Sequence, residues 1–274
     1  MNADARAQVL ESLTRQVEQL RTSHGWQQWL RVAAQFRTYS LRNQLLIAAQ
    51  RPDATWVAGY RTWQQLGRQV NRGEHGIAIF APLLRRERSE ADEPQTVLAG
   101  FRVVRVFDIT QTHGPELPIP TMPTVTDTRS AAGVDNPVLL KRLTAAARVA
   151  GLSVETTPNS PDGAHGWYDR ETNTITLVTR FSEANQIRTL LHELSHANDA
   201  AIADEPRPIR ELVAESAAFI VGTGVFGLDM DDASTFYVTS WGAYAALLQD
   251  LAEHVHQVSE RVEMIVRTAI EVTQ

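Results

Sequence analysis

His192-Glu193-Leu194-Ser195-His196 is the stretch on which the reading of this chain turns. Two histidines four residues apart share one face of an α-helix, so both imidazoles can reach a single ion. The glutamate between them lies beside that ion and can act as general base on a water. Thr189, Leu190 and Leu191 before the motif and Ala197 after it give such a helix an apolar back. The plain alternative is a surface helix with two solvated histidines. Its setting argues against that. The β-rich run Thr174 to Thr179 just upstream reads as an edge strand, along which zinc peptidases pair substrate backbone. A purely structural metal site would not need Glu193.

A catalytic zinc usually takes three protein ligands and a water. Fifteen residues past His196, beyond Pro206 and Pro208, Glu211-Leu212-Val213-Ala214-Glu215 offers two carboxylates one helical turn apart. Glu211 is the expected ligand, with Glu215 orienting one imidazole; the reverse assignment stays open. Asp199 is a rival ligand, although a solvated acid at a helix end is the simpler reading. His165, Tyr168, Arg210 and Tyr237 are candidate oxyanion stabilisers by residue type only. His254 and His256 are two apart on a helix, do not share a face, and read as ordinary residues. The chain has no cysteine, so any metal must be held by His, Asp or Glu. That absence also fits a reducing cytoplasm.

Outward from the motif, Phe181 to about Asn198, Arg207 to Val221 and about Ala233 to Val272, with a break, read as helices. Val138 to Ala150 is a helix stopped by Gly151, and Leu152 to Glu155 a short strand. Residues 111–137 hold five prolines among Thr, Gly and Asp, without apolar periodicity. This is a semi-extended linker over residues 116–136. It separates a domain at 1–115 from one at 137–274. In the front half, helices are expected over residues 4–22, after Gly25, and from Ser40 to about Arg51, with a short one near 62–67. Gly76 to Phe80, ending at Pro82, and Thr96 to Phe107 suggest a β-hairpin with a charged loop from Arg85 to Glu93. The expected fold class is α+β: a front domain with a small antiparallel sheet, and a mostly helical second domain with a small sheet.

The formal net charge of -6 conceals an asymmetry. Residues 1–90 carry 13 basic against 7 acidic side chains, and residues 91–274 carry 13 against 25. A basic front and acidic back suggest two units with different partners. Between Tyr39 and Pro82 the basic residues interleave with aromatics and amides: Arg42, Asn43, Gln44, Arg61, Trp63, Arg72 and His75. Aromatics stack on unpaired bases and Arg neutralises phosphate, so this is the composition of a single-strand-binding surface. Trp56 and Trp63 could equally be core. No segment approaches the roughly 18 apolar residues of a membrane span, and no secretory signal is evident.

Ser40-Leu41-Arg42-Asn43-Gln44-Leu45-Leu46-Ile47, Pro52 to Gly59, Tyr60-Arg61-Thr62-Trp63, Gly73 to Ile79 and Val106-Phe107-Asp108-Ile109 with Gln111-Thr112 resemble the N-terminal domain of ArdC-type antirestriction proteins. The motif helix, Glu211 to Glu215 and Tyr237-Val238-Thr239-Ser240-Trp241 resemble the family's metallopeptidase domain. The resemblance implies a single-stranded DNA-binding front domain and a gluzincin-like zincin domain, with Glu211 as third zinc ligand. It also implies a mobile-element role in protecting incoming DNA from host restriction. Arg stands where relatives often have Lys, which leaves the DNA contacts open. A peptidase cleaving a regulatory protein, with the front domain binding a partner, is the competing reading.

Overall fold

The structure is a computed structural model that describes residues 8–9, 11–13, 15–16, 19–20, 22–88, 94–117, 136–160, 163–230 and 248–271. The chain divides into two compact units, Met1–Val32 with Thr38–Thr121 and Ala33–Arg37 with Met122–Gln274. The Pro-rich stretch at 118–135, the later part (89–93) of the loop expected at Arg85 to Glu93, and Tyr237 lie outside the described residues. Among the described residues no helix is long and apolar enough to cross a membrane.

The front unit is built on α1 (Ser23–Gln35) up to Val32, α2 (Leu41–Gln50), β1 (Val57–Gly59), α3 (Tyr60–Gln65), β2 (Gln69–Val70), β3 (Ile77–Arg88), β4 (Pro94–Asp108) and β5 (Thr112–His113). The helix expected after Gly25 begins earlier, at Ser23. The Thr22 hydroxyl accepts from the Gly25 amide at 2.9 Å and caps it. Glycine is needed there because a Cβ would fall 2.0 Å from the Gln19 carbonyl oxygen. The main sheet runs β1-β4-β3, antiparallel throughout, and β2 pairs with β5.

β3 does not stop at Pro82, as the sequence suggests, but continues to Arg88. It is an edge strand, and a proline is tolerated where its missing N–H faces outward. The amides at 78 and 80 do face outward, and two side chains of α2 satisfy them. Asn43 donates to the Phe80 carbonyl and accepts from its amide, both at 2.9 Å. Gln50 does the same for Ala78, at 2.9 and 2.8 Å. Helix α2 thus closes the strand edge at Ala78 and Phe80 with side-chain amides, which blocks pairing by another strand there.

A second device fixes the other end of the sheet. The Asp108 carboxylate, fully buried, accepts from the amides of Thr55, Trp56 and Thr110 and from the Thr110 hydroxyl. Gln111 accepts from the Asp108 amide and donates to Glu74 and to the His75 carbonyl. Trp63 sits with Ala58 and Ile109 in a local core, flanked by Trp56, Phe107 and Val70.

The second unit contains α4 (Asn136–Val149), β6 (Ser153–Thr157), β7 (Gly166–Asp169), β8 (Thr174–Val178), α5 (Glu183–Ala197), α6 (Arg207–Phe226) and α7 (Leu248–Glu271). The sheet order is β6-β8-β7, with β6 parallel and β7 antiparallel to β8, so β7 is an edge, and the strand expected as an edge at Thr174 to Thr179 is instead the central strand β8, paired on both sides. Leu139, Leu143, Ala146 and Ala147 on α4, and Leu251, Val255, Val258, Val262 and Val266 on α7, are buried at helical spacing. Ile187, Leu190, Leu191 and Leu194 give α5 its buried face. β7 lies close on α5. A Cβ at Gly166 would stand 2.7 Å from the Thr189 methyl and 2.6 Å from the Thr176 carbonyl oxygen. The fold is α+β, as the sequence suggests.

Candidate metal centre and basic surface

Helix α5 is capped by Ser182, whose hydroxyl accepts from the Asn185 amide, and ends one residue past His196. Its apolar back is fixed in the core, so His192 and His196 emerge from the opposite side as an i, i+4 pair. Their rings meet edge to face, 4.7 Å between centroids, and their Nε2 atoms are 3.1 Å apart. Helix α6 presents Glu211 to this pair, with Oε2 3.3 Å from His192 Nε2 and 3.6 Å from His196 Nε2.

These three edges decide what the cluster can hold. Ligand atoms at 2.0–2.1 Å from a tetrahedral ion are about 3.3 Å from one another. The observed edges bracket that value. His192, His196 and Glu211 form the one cluster of metal-binding geometry among the described residues. Two imidazole nitrogens and a carboxylate oxygen suit a divalent ion.

Glu215, one turn beyond Glu211, brings Oε1 to 3.1 Å from the other ring nitrogen of His192, though off the direction of a hydrogen bond. Arg207, one turn before, donates from Nε to the outer oxygen of Glu211 at 3.2 Å. Burial disfavours a charged His192. Glu211 and Glu215 overcome this and push it up to about 10. His192 and His196 together hold Glu211 well below the usual carboxylate range. Glu193 is buried, and burial pushes its carboxyl up against the pull of the two histidines. The Tyr168 amide of edge strand β7 donates to it.

Asp199 is not the solvated acid expected from its place at a helix end. It is 4% exposed and pairs with His254 of α7. This also removes His254 from the class of ordinary residues. Neither belongs to the metal-binding cluster. His256 lies 3.5 Å from Glu260. Of the oxyanion candidates, the Tyr168 hydroxyl donates to Asn173 and His165 stacks on Phe181 with centroids 3.8 Å apart. Arg210 is half-buried on α6.

The basic surface needs correction. Asn43, Gln44 and Trp63 are buried, with backbone partners at Phe80, Tyr39 and Phe107 respectively. They hold the front unit together and offer no open surface. Arg42, Arg61, Arg72 and His75 are exposed. Residue type alone could not separate the two groups. The Tyr168 amide was likewise invisible to a reading of side chains.

Fold and site together define a two-unit α+β protein whose second unit carries a His-His-Glu cluster, with both histidines from helix α5 and the glutamate from helix α6. Residues 3–108 match the family described as the N-terminal domain of the anti-restriction factor ArdC. Across 84–86% of this chain and 86% of theirs, two crystal structures of antirestriction ArdC from plasmid R388, one metal-free and one Mn(II)-bound, superpose with a TM-score of 0.52. Their sequences are 18% and 20% identical to this one, a likeness that speaks for the fold. An uncharacterized Bacillus anthracis protein, pXO2-81, is 25% identical over 86% of the chain. This chain spans 46% of that relative's length. The family match covers residues 3–108, and the two crystal structures extend the likeness in fold to 84–86% of the chain.

Proposed function

We propose that this chain is a single-stranded DNA-binding antirestriction protein of a mobile element whose second unit is a zinc peptidase. Its proposed setting is the cytoplasm, where incoming DNA meets host restriction enzymes. The observation that carries the enzymatic part is the triangle of His192 Nε2, His196 Nε2 and Glu211 Oε2, with edges of 3.1, 3.3 and 3.6 Å, beside a buried Glu193.

His192, His196 and Glu211 would hold a divalent cation, which would supply Lewis-acid polarisation of a scissile carbonyl. Zinc suits two imidazoles and a carboxylate best. Manganese, present in the R388 relative, is compatible with the same donors. The protein's own residues do the rest. Glu193 takes a proton from the attacking water and returns it to the leaving amine. Its raised pKa suits both directions of that transfer. Glu215 orients His192 from the far ring nitrogen. Edge strand β7 offers backbone groups for pairing with an extended peptide.

Glu193→Gln tests the enzymatic part. It keeps the size and polarity of the side chain, so metal content should stay at the wild-type level while peptide cleavage falls at least 100-fold. Unchanged protection of transferred DNA by this variant would sink a proteolytic role in antirestriction. The DNA part is tested by titrating labelled single strands at low salt, where phosphate-contacting proteins bind most tightly. No binding there rules it out.

A further inference from the structure

We infer that one face of the β3–β4 ribbon is the platform on which unpaired bases stack, with Phe101 as the stacking residue and Arg42 as its phosphate contact. This rests on the single-stranded DNA reading above and names the surface, which no feature of the sequence singles out.

Directly opposed residues of an antiparallel pair point to the same side of the sheet. The register pairs Phe80 with Val103 and Pro82 with Phe101. Alternation along β4 puts Arg105 on this side as well. Phe101 is 52% exposed, a large aromatic surface to leave in water. Pro82 opposite it is exposed too, and Phe80 and Val103 are only half-buried. The Arg42 guanidinium reaches across from α2 and lies over the Phe80 ring, 5.8 Å from its centroid. Arg105 spends Nη1 on the Gly76 carbonyl at 2.8 Å and borders the same face.

The face therefore combines a bare aromatic ring, a flat apolar floor and arginine at its margin. An apolar face alone would suit a protein partner as well. Charge decides between them. From Tyr39 to Arg85 there are six Arg against Asp53 and Glu74, and on this face β4 from Phe101 to Phe107 adds Arg105 with no acid. A partner with a regular anionic backbone and planar apolar groups complements this surface. Single-stranded nucleic acid has both, whereas duplex DNA hides its base faces. Asn43 and Gln50 occupy the edge of β3 at Phe80 and Ala78, so there the face and not the edge is the available contact.

The test uses the full chain and a fluorescein-labelled oligo-dT, titrated by anisotropy at several salt concentrations. Phe101→Ala should weaken binding about tenfold at an unchanged salt slope, since a stacking contact releases no counterion. Phe101→Tyr should restore it. Arg42→Gln should lower the salt slope by about one. Both sites are exposed, and thermal melting of all three variants should stay at the wild-type value. If wild type binds and Phe101→Ala binds equally well, the platform is wrong and the DNA-binding reading stands. If wild type fails to bind at low salt, the reading itself is wrong. Equal affinity for duplex and single strand would also overturn the platform.

Discussion

His192 Nε2 and His196 Nε2 face each other at 3.1 Å, with Glu211 Oε2 closing the triangle. Two ring nitrogens and a carboxylate converge where a proton or a metal ion joins them. In the metal-free protein a proton plays that part, and His192 is pushed up to about 10 by Glu211 and Glu215 despite its burial. A divalent ion must displace that proton. Metal affinity should therefore rise about tenfold per pH unit between roughly pH 7 and 9, where metal-free His192 is still protonated. Competition with a chelator of known affinity measures this. Affinity that is flat across the window contradicts the assignment.

Glu211 and Glu215 touch opposite nitrogens of the same ring, so their losses should differ. Glu215→Gln removes an orienting group and should weaken metal binding about 10–100-fold. Glu211→Gln removes a ligand and should weaken it further. Calorimetric titration with Zn(II) ranks the two, and the reverse order would exchange their roles.

Asp199 is 4% exposed, and its partner His254 arrives from a helix 55 residues away. Breaking a buried pair on one side strands a charge, at a cost of about 3–5 kcal/mol. His254→Ala should lower stability by that order in urea unfolding. Asp199→Asn combined with His254→Ala should be less damaging than the sum of the two single changes. Additive effects would mean that the contact carries no coupling.

Asp108 accepts four hydrogen bonds while fully buried. Burial alone raises a carboxyl, but the donors on Thr110, Thr55 and Trp56 more than offset it and hold Asp108 below the usual range. A depressed folded pKa stabilises the protein above the ordinary Asp value near 3.9, and this contribution is lost as pH falls through the lower folded value. Asp108→Asn should therefore be destabilised by about 1–3 kcal/mol at pH 7 and approach wild type in acid, once Asp108 is protonated in the folded protein. Unfolding of the pair at pH 7 and in acid checks it, and a gap that is constant with pH would contradict it.

What was legible in the sequence follows from the range of the interactions. The i, i+4 spacing of His192 with His196 and of Glu211 with Glu215 survives translation into a structure because each pair lies within one helix. The strand expected at Thr174 to Thr179 appears at Thr174–Val178 for the same local reason, its alternating burial. Asn43 was misread because a polar residue on an amphipathic helix looks the same whether it meets solvent or a strand edge. Its partner, Phe80, is 37 residues away. Asp199 and His254 carry no shared local pattern at all. Pro82 misled in the other direction: proline ends an interior strand, but β3 lies at an edge.

The central claim, a divalent metal centre on His192, His196 and Glu211, is tested most directly by a crystal of the full chain grown with Zn(II) and measured across the zinc absorption edge. The expected result is one strong anomalous peak within about 2.0–2.2 Å of both Nε2 atoms and of Glu211 Oε2, absent in crystals of His196→Ala. No peak there, or a peak liganded by other residues, would contradict it.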